Sequence, residues 1–370
     1  MDNRTSSAII LGGGLLAVLI ATGQNSLITT RQEWKLKSSD APGMVHFTVE
    51  RWKPGDHWST STDVRFANFR GLSRETIERG GPAKFEYVQD AGRLLCQGDF
   101  SWSRGSGTFR FEPDPRFAAE LKALGYDAPD DEQLFSMLLT DVSLEFARGA
   151  RDAGLHASTK QLIELRIHGV SLDYIHDARQ AGYQNLSAQD YIDLKIHGVT
   201  TGFLRDLKSY GYNLYPRDIV ELRIHGVTGE FVGDLKAAGY DLSSSQIVEL
   251  GIHGVNSAYL RDLKNYGLQP HAADLVQLRI HGVSTNYLKG LKDAGYSGLF
   301  ASEITDLTIH GVSIDFIRDA KDLGYNFTPQ QLIDLRIHGV DGAYLRRLRD
   351  SGLKNLTAAQ IEKLRIHGVD

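Results

Sequence analysis

The tetrapeptide Ile-His-Gly-Val occurs eight times between residues 167 and 369. Its histidines are His168, His197, His225, His253, His281, His310, His338 and His367, always 28 or 29 residues apart. A fixed period of that length admits few architectures. Each copy is one supersecondary unit that cannot bury its apolar face alone and stacks on its neighbours. The array starts earlier in degenerate form. Phe117–Tyr126 (FAAELKALGY) matches the first half of a unit, and Thr140-Asp141-Val142 stands where His-Gly-Val belongs.

Residues 186–212 show what a unit is made of. Ser187 with Asp190 has the spacing of a capping box, as have Thr328 with Gln331 and Thr357 with Gln360. Pro329 stands at a first helical position, where its missing N–H costs nothing. The helix that follows carries Tyr191, Ile192, Leu194 and Ile196 and ends at His197. Gly198 then closes it in the left-handed conformation that glycine adopts without a Cβ clash. Val199 packs back on Leu194. It also precedes Thr200, the cap of a second helix, as a hydrophobic staple toward Leu204. Val170 with Ile175, Val227 with Val232 and Val312 with Ile317 repeat the pattern, and Ser171, Thr228, Asn256, Ser284, Ser313 and Asp341 are the other caps. The second helix stops at Gly211-Tyr212. Two helices of nine to ten residues are too short to stand alone in water, so stacking has to stabilise them.

Residues 44–112 read differently. Val45, Phe47 and Val49 alternate with polar residues, as do Val64 with Phe66 and Phe109 with Phe111. Asp90-Ala91-Gly92 and Arg104-Gly105-Ser106-Gly107 read as hairpin turns, and Ser73–Arg79 as a short helix. The expected fold is therefore mostly α: a small antiparallel β domain of about five strands over 44–112, then an α-solenoid of about eight helical hairpins over 113–370. Residues 24–43 are expected to be a polar linker.

The histidine ends its helix, where carbonyls lack partners and the dipole is negative, so a donor side chain is favourable there. Four residues earlier stands Glu164, Asp193, Glu221, Glu249, Asp306 or Asp334, in the favourable orientation for an ion pair. Cap and ion pair together account for the histidine structurally. Metal sharing between units is excluded by spacing: stacked helices lie about 8–10 Å apart, whereas each imidazole nitrogen must come within about 2.1 Å of a zinc ion. Eight aligned histidines can also change the charge of one face together near pH 6.5; protonating all 13 in the chain carries its net charge from −5 to +8. Two residues before the histidines runs a basic series, Arg166, Lys195, Arg223, Arg279, Arg336 and Arg365, interrupted by Gly251 and Thr308. Histidines and basic residues together form the candidate interaction ladder.

Chemistry is otherwise sparse. There is no HExxH, GxxxxGK[ST], GxSxG or CxxC, and the one cysteine, Cys96, lies in an apolar run and reads as a buried hydrophobe. His176, His271 and Phe300 depart from the repeat without forming a motif. No catalytic residue, metal or cofactor is expected, and a net charge of −5 gives no nucleic-acid footprint. Ala8–Ala21 is uncharged over 14 residues. It is short for a bilayer span and fits a signal-peptide core, with Ala21-Thr22-Gly23 as a cleavage site. Residues 1–23 are thus expected to be a signal peptide or a single membrane anchor, and the protein exported, periplasmic or extracytoplasmic.

The repeats "LRIHGV", "FLRDLKSYGY" and "LSAQDYIDL", with "ANFRGL", "KFEYVQDAG" and "GSGTFRFEPDPRF" before them, resemble the exported region of bacterial β-lactam-sensor-type membrane metallopeptidases. The resemblance covers about residues 44–370 and implies a sensory or interaction region. That family's activity resides in a multi-span zinc domain with HExxH, which this sequence lacks, so no catalytic residue carries over. The resulting expectation is a non-enzymatic exported scaffold whose repeat surface binds a protein or cell-envelope partner. The alternative is a sensor or regulatory subunit of a membrane signalling or proteolytic system. End-to-end self-association is a further expectation should Leu364 and Ile366 be exposed.

Overall fold

The computed structural model describes residues 31–53 and 56–369. The expected signal or anchor segment lies outside them. Among the described residues no helix is long and apolar enough to cross a membrane. The chain forms two compact units that divide between Thr201 and Gly202.

The first unit opens with seven antiparallel strands: β1 (Arg31–Ser38), β2 (Met44–Lys53), β3 (Asp56–Arg65), β4 (Phe69–Arg70), β5 (Gly81–Gln89), β6 (Gly92–Ser101) and β7 (Arg104–Pro113). Their order across the sheet is β3-β2-β1-β7-β6-β5-β4. Helix α1 (Arg74–Arg79) lies against β6 through Ile77. Two expectations need correction. Residues 31–38, placed in a linker, are an interior strand. Trp34 and Leu36 point inward and are buried, but they are interleaved with Lys35, Lys37 and Glu33, so the segment reads as polar. Residues 104–107, expected as a turn, begin β7; the turn is Trp102-Ser103, both in the left-handed region at φ 51° and 59°. Gly105 and Gly107 are strand residues that make room inside. A Cβ on Gly105 would strike the Phe100 ring, and bare backbone at Gly107 lets the Trp34 indole reach across β7 to donate to the Gln97 carbonyl at 3.3 Å.

Three helical hairpins complete this unit: α2 (Pro115–Ala123) with α3 (Asp131–Leu139), α4 (Leu144–Asp152) with α5 (Thr159–Ile167), and α6 (Leu172–Gln180) with α7 (Ala188–Ile196). The sheet's core continues into the first of them. Phe135 of α3 stacks on Phe109 at 6.0 Å and meets Phe111 edge-on at 5.3 Å. Arg51 of β2 lies over the Phe135 ring at 4.3 Å and donates to both Glu132 carboxylate oxygens, at 2.8 and 3.3 Å. The Asp90 carboxylate accepts from the Leu144 N–H at 2.8 Å and so ties the β5–β6 turn to the start of α4.

The second unit holds six more hairpins: α8 (Thr201–Ser209) with α9 (Pro216–Ile224), α10 (Gly229–Ala237) with α11 (Ser244–Ile252), α12 (Ser257–Tyr266) with α13 (Ala272–Ile280), α14 (Thr285–Asp293) with α15 (Ala301–Ile309), α16 (Ile314–Asp322) with α17 (Pro329–Ile337), and α18 (Gly342–Asp350) with α19 (Ala358–Ile366). Successive first helices touch one another, as do successive second helices, which is the stacking of an α-solenoid. The repeat turn has the hydrogen bonds its sequence predicts. Gly198 N–H donates to Lys195 O at 3.1 Å and Val199 N–H to Leu194 O at 2.8 Å. The eight turn glycines have φ between 67° and 75°. The degenerate first copy keeps this turn without His or Gly: Asp141 takes the left-handed position at φ 56°, and Val142 N–H donates to Met137 O at 2.9 Å.

Candidate interaction surface

The ladder separates into three rows with different fates. The basic row turns inward. Arg166 lies over Phe146 at 5.2 Å, Lys195 over Tyr174 at 4.9 Å, Arg223 over Phe203 at 5.3 Å, Arg279 over Tyr259 at 4.9 Å, Arg336 over Phe316 at 5.6 Å and Arg365 over Tyr344 at 4.9 Å. Each ring belongs to the first helix of the cation's own hairpin. Several cations also donate to the turn before their own: Arg166 to Asp141 O at 3.1 Å, Arg279 to His253 O at 3.2 Å, Arg336 to Gly311 O at 3.0 Å. A desolvated guanidinium over an aromatic face contributes about 1–2 kcal/mol. The basic row therefore pins the two helices of each hairpin together and, at Arg166, Arg279 and Arg336, ties the hairpin to the turn before it, so it is not an open docking strip.

The aromatic ring decides who satisfies the valine carbonyl of the adjoining turn. Where it is tyrosine, its hydroxyl donates: Tyr174 to Val199 O at 2.8 Å, Tyr259 to Val283 O at 3.1 Å, Tyr287 to Val312 O at 2.8 Å and Tyr344 to Val369 O at 2.7 Å. Where it is Phe203 or Phe316, the cation takes over: Arg223 donates to Val227 O at 2.8 Å and Arg336 to Val340 O at 3.0 Å. Burial pushes the Tyr259 and Tyr287 hydroxyls up to about 12, so they stay protonated donors at neutral pH. The two gaps in the basic row differ. Tyr287, opposite Thr308, makes its own bond. At Gly251, a Cβ would approach the His225 carbonyl to 3.0 Å.

The histidines occupy the C-cap position at the end of each second helix. Their expected ion pairs do not form: among the described residues none of the six histidines with a carboxylate four positions earlier meets it. At the cap φ lies between −92° and −85° and ψ between 8° and 17°. His197 Nδ1 instead lies 2.9 Å from the Asp193 carbonyl, and His338 Nε2 pairs with Glu362 of the next second helix at 3.0 Å.

The third row was not anticipated. The isoleucine before the histidine faces solvent in seven of the eight copies, Ile196 being half-buried. In the first unit Ile167 is 44 % exposed. In the second, Ile224, Ile252, Ile280, Ile309, Ile337 and Ile366 are 50–58 % exposed. Three residues before four of these, on the same helix face, stand Glu221, Glu249, Asp306 and Asp334. None of those four carboxylates makes an ion pair among the described residues. The isoleucine row of the second unit is thus an exposed aliphatic series accompanied by carboxylates without ion pairs, of which Asp334 accepts from Gln330 at 2.8 Å.

Cys96 is buried, and burial pushes its thiol well above the usual range. His176 is exposed and touches Gln180 at 2.8 Å; His271 and Phe300 are helix N-caps without a side-chain cap bond. Among the described residues no group of three or more His, Cys, Asp or Glu side chains is placed to hold a metal ion. No protein-family model matches the chain, and no curated protein matches it.

Proposed function

We propose that the chain is an exported interaction scaffold whose helical repeats bind a protein or cell-envelope partner along the Ile-His-Gly-Val turns. The observation that carries this reading is the recurrent exposed isoleucine. One exposed large apolar residue is ordinary. One in the same place in every hairpin of the second unit serves no packing there, and a β-branched residue is only a moderate helix former. The unpaired Glu221, Glu249, Asp306 and Asp334 support a partner that offers aliphatic groups and cations together. The uncharged run Ala8–Ala21 supports export. A second reading, a sensor or regulatory subunit, draws support from the core shared by the sheet and α3, which couples the β domain rigidly to the first repeats. The test replaces Ile252, Ile280, Ile309 and Ile337 together by Thr and compares cross-linking to a cell-envelope fraction. The variant is expected to fold like the wild type and lose the cross-linked species. Undiminished cross-linking would contradict the assignment.

A further inference from the structure

The outer face of β2 and β3 carries a group of side chains that the repeats do not involve. His46 faces Asp63 across the two strands, and Thr48 faces Ser61 in the next register pair. His46 Nδ1 lies 2.9 Å from Asp63 Oδ1, and His46 Nε2 lies 2.8 Å from Ser61 Oγ. A carboxylate accepts only, so Nδ1 carries the proton, Nε2 is the acceptor, and Ser61 donates to it. Thr48 Oγ1 is 2.7 Å from Ser61 Oγ and, with the Ser61 proton committed, donates to it. Ser39 donates to the other Asp63 oxygen at 2.7 Å. The Ser39 hydroxyl, and after it His46, hold the Asp63 carboxyl below its usual range. The imidazole is therefore oriented by an anion on one side and poised on a hydroxyl at the other, the arrangement that activates a serine nucleophile. The His46 and Asp63 side chains are 32 % and 43 % exposed, so reagents can reach them.

We propose that Ser61, His46 and Asp63 form an acyl-transfer site, independent of the binding role of the repeats. Ser61 Oγ attacks the carbonyl carbon of an ester and forms a C–O bond while its proton passes to His46 Nε2. Collapse breaks the bond to the leaving oxygen, which takes that proton. Water, deprotonated by His46, then cleaves the acyl-serine, releases the acid and restores Ser61. Ser61 and His46 are the catalytic residues and Asp63 is a positioning residue. Lys37, the register partner of His46 on β1, places a cation on the same face for the developing oxyanion. Among the described residues β3 is an edge strand with one unpaired side. The site fits an acyl ester carried on an extended chain that lies along that edge.

The test treats the full chain with a fluorophosphonate, whose fluoride Ser61 displaces, and maps the adduct by mass spectrometry. Ser61 is expected to be labelled, about 100-fold faster in the folded chain than in urea, and about 100-fold faster than in His46→Gln. Ser61→Ala is expected to lose the label and the hydrolysis of p-nitrophenyl acetate. Asp63→Asn is expected to slow both and to change the pH profile of the rate, which a merely structural carboxylate would not do. Labelling no faster in the folded wild type than in urea would overturn the proposal without reference to any variant. So would equal labelling of a folded His46→Gln chain.

Discussion

Arg336 lies over the Phe316 ring at 5.6 Å and donates to the Val340 carbonyl at 3.0 Å, a bond that tyrosine makes in other repeats. The two residues are coupled through the Val340 carbonyl, which takes its donor from the arginine here and has its counterpart served by a tyrosine in other repeats. Arg336→Ala is expected to cost about 2 kcal/mol, from the cation–π contact and the lost hydrogen bond together. Phe316→Tyr in that background is expected to restore about 1 kcal/mol by supplying a hydroxyl to Val340. A double-mutant cycle by urea denaturation reads this coupling directly.

The turn glycine and the turn histidine contribute differently. Gly282 has φ 75°, and nothing stands within 4 Å of a Cβ built there. Gly282→Ala therefore isolates the backbone penalty of the left-handed region, about 1–2 kcal/mol. His281→Asn, at the cap beside it, is expected to change stability by about 0.5 kcal/mol or less. Equal losses for the two would mean that the imidazole, not the glycine, closes the turn.

The β6–β7 turn carries strain. Trp102 and Ser103 both occupy the left-handed region, and Trp102 is 95 % exposed, so little packing offsets the cost. Trp102→Asn with Ser103→Gly is expected to stabilise the fold by about 1 kcal/mol or more, because Asn-Gly suits this turn. An unchanged thermal midpoint would contradict that.

Asp63 makes stability depend on acid. Its folded pKa is depressed below 3.8 by the Ser39 hydroxyl first and by His46 next. The stabilisation is present above the ordinary carboxylate range and is lost as pH falls through the folded value. Asp63→Asn is expected to lower the thermal midpoint at pH 6, with the gap to wild type closing as pH drops below about 3.8. Ser39→Ala is expected to raise the Asp63 titration midpoint in a carboxyl NMR titration.

The repeat was legible because its rules are local. A cap, a left-handed glycine and a valine that returns to Leu194 act within one turn of helix, so spacing alone predicts them. What depended on a neighbour was not legible. The strand at Arg31–Ser38 is identified by partners on β2 and β7, and its own residues alternate Trp34 and Leu36 with charges. The basic row looked like a surface because its aromatic partners lie 20 or 21 residues upstream, on the other helix of the hairpin. The exposure of the isoleucines was not legible, since they are apolar and Ile167, for one, stands a helical turn after the buried Ile163. The Ser61, His46 and Asp63 group follows no motif spacing, since strand register, not sequence proximity, assembles it.

The account's central claim is that the basic row holds the repeats together while the isoleucine row faces a partner. One paired measurement tests it: urea midpoints and envelope cross-linking for two variants, Arg279→Ala with Arg336→Ala, and the four-isoleucine replacement by Thr. The arginine pair is expected to lose about 3–4 kcal/mol, from two staples of about 2 kcal/mol each. The isoleucine set is expected to keep a midpoint near that of the wild type and lose the cross-link. An isoleucine set as destabilised as the arginine pair, or one that still cross-links in full, would contradict the account.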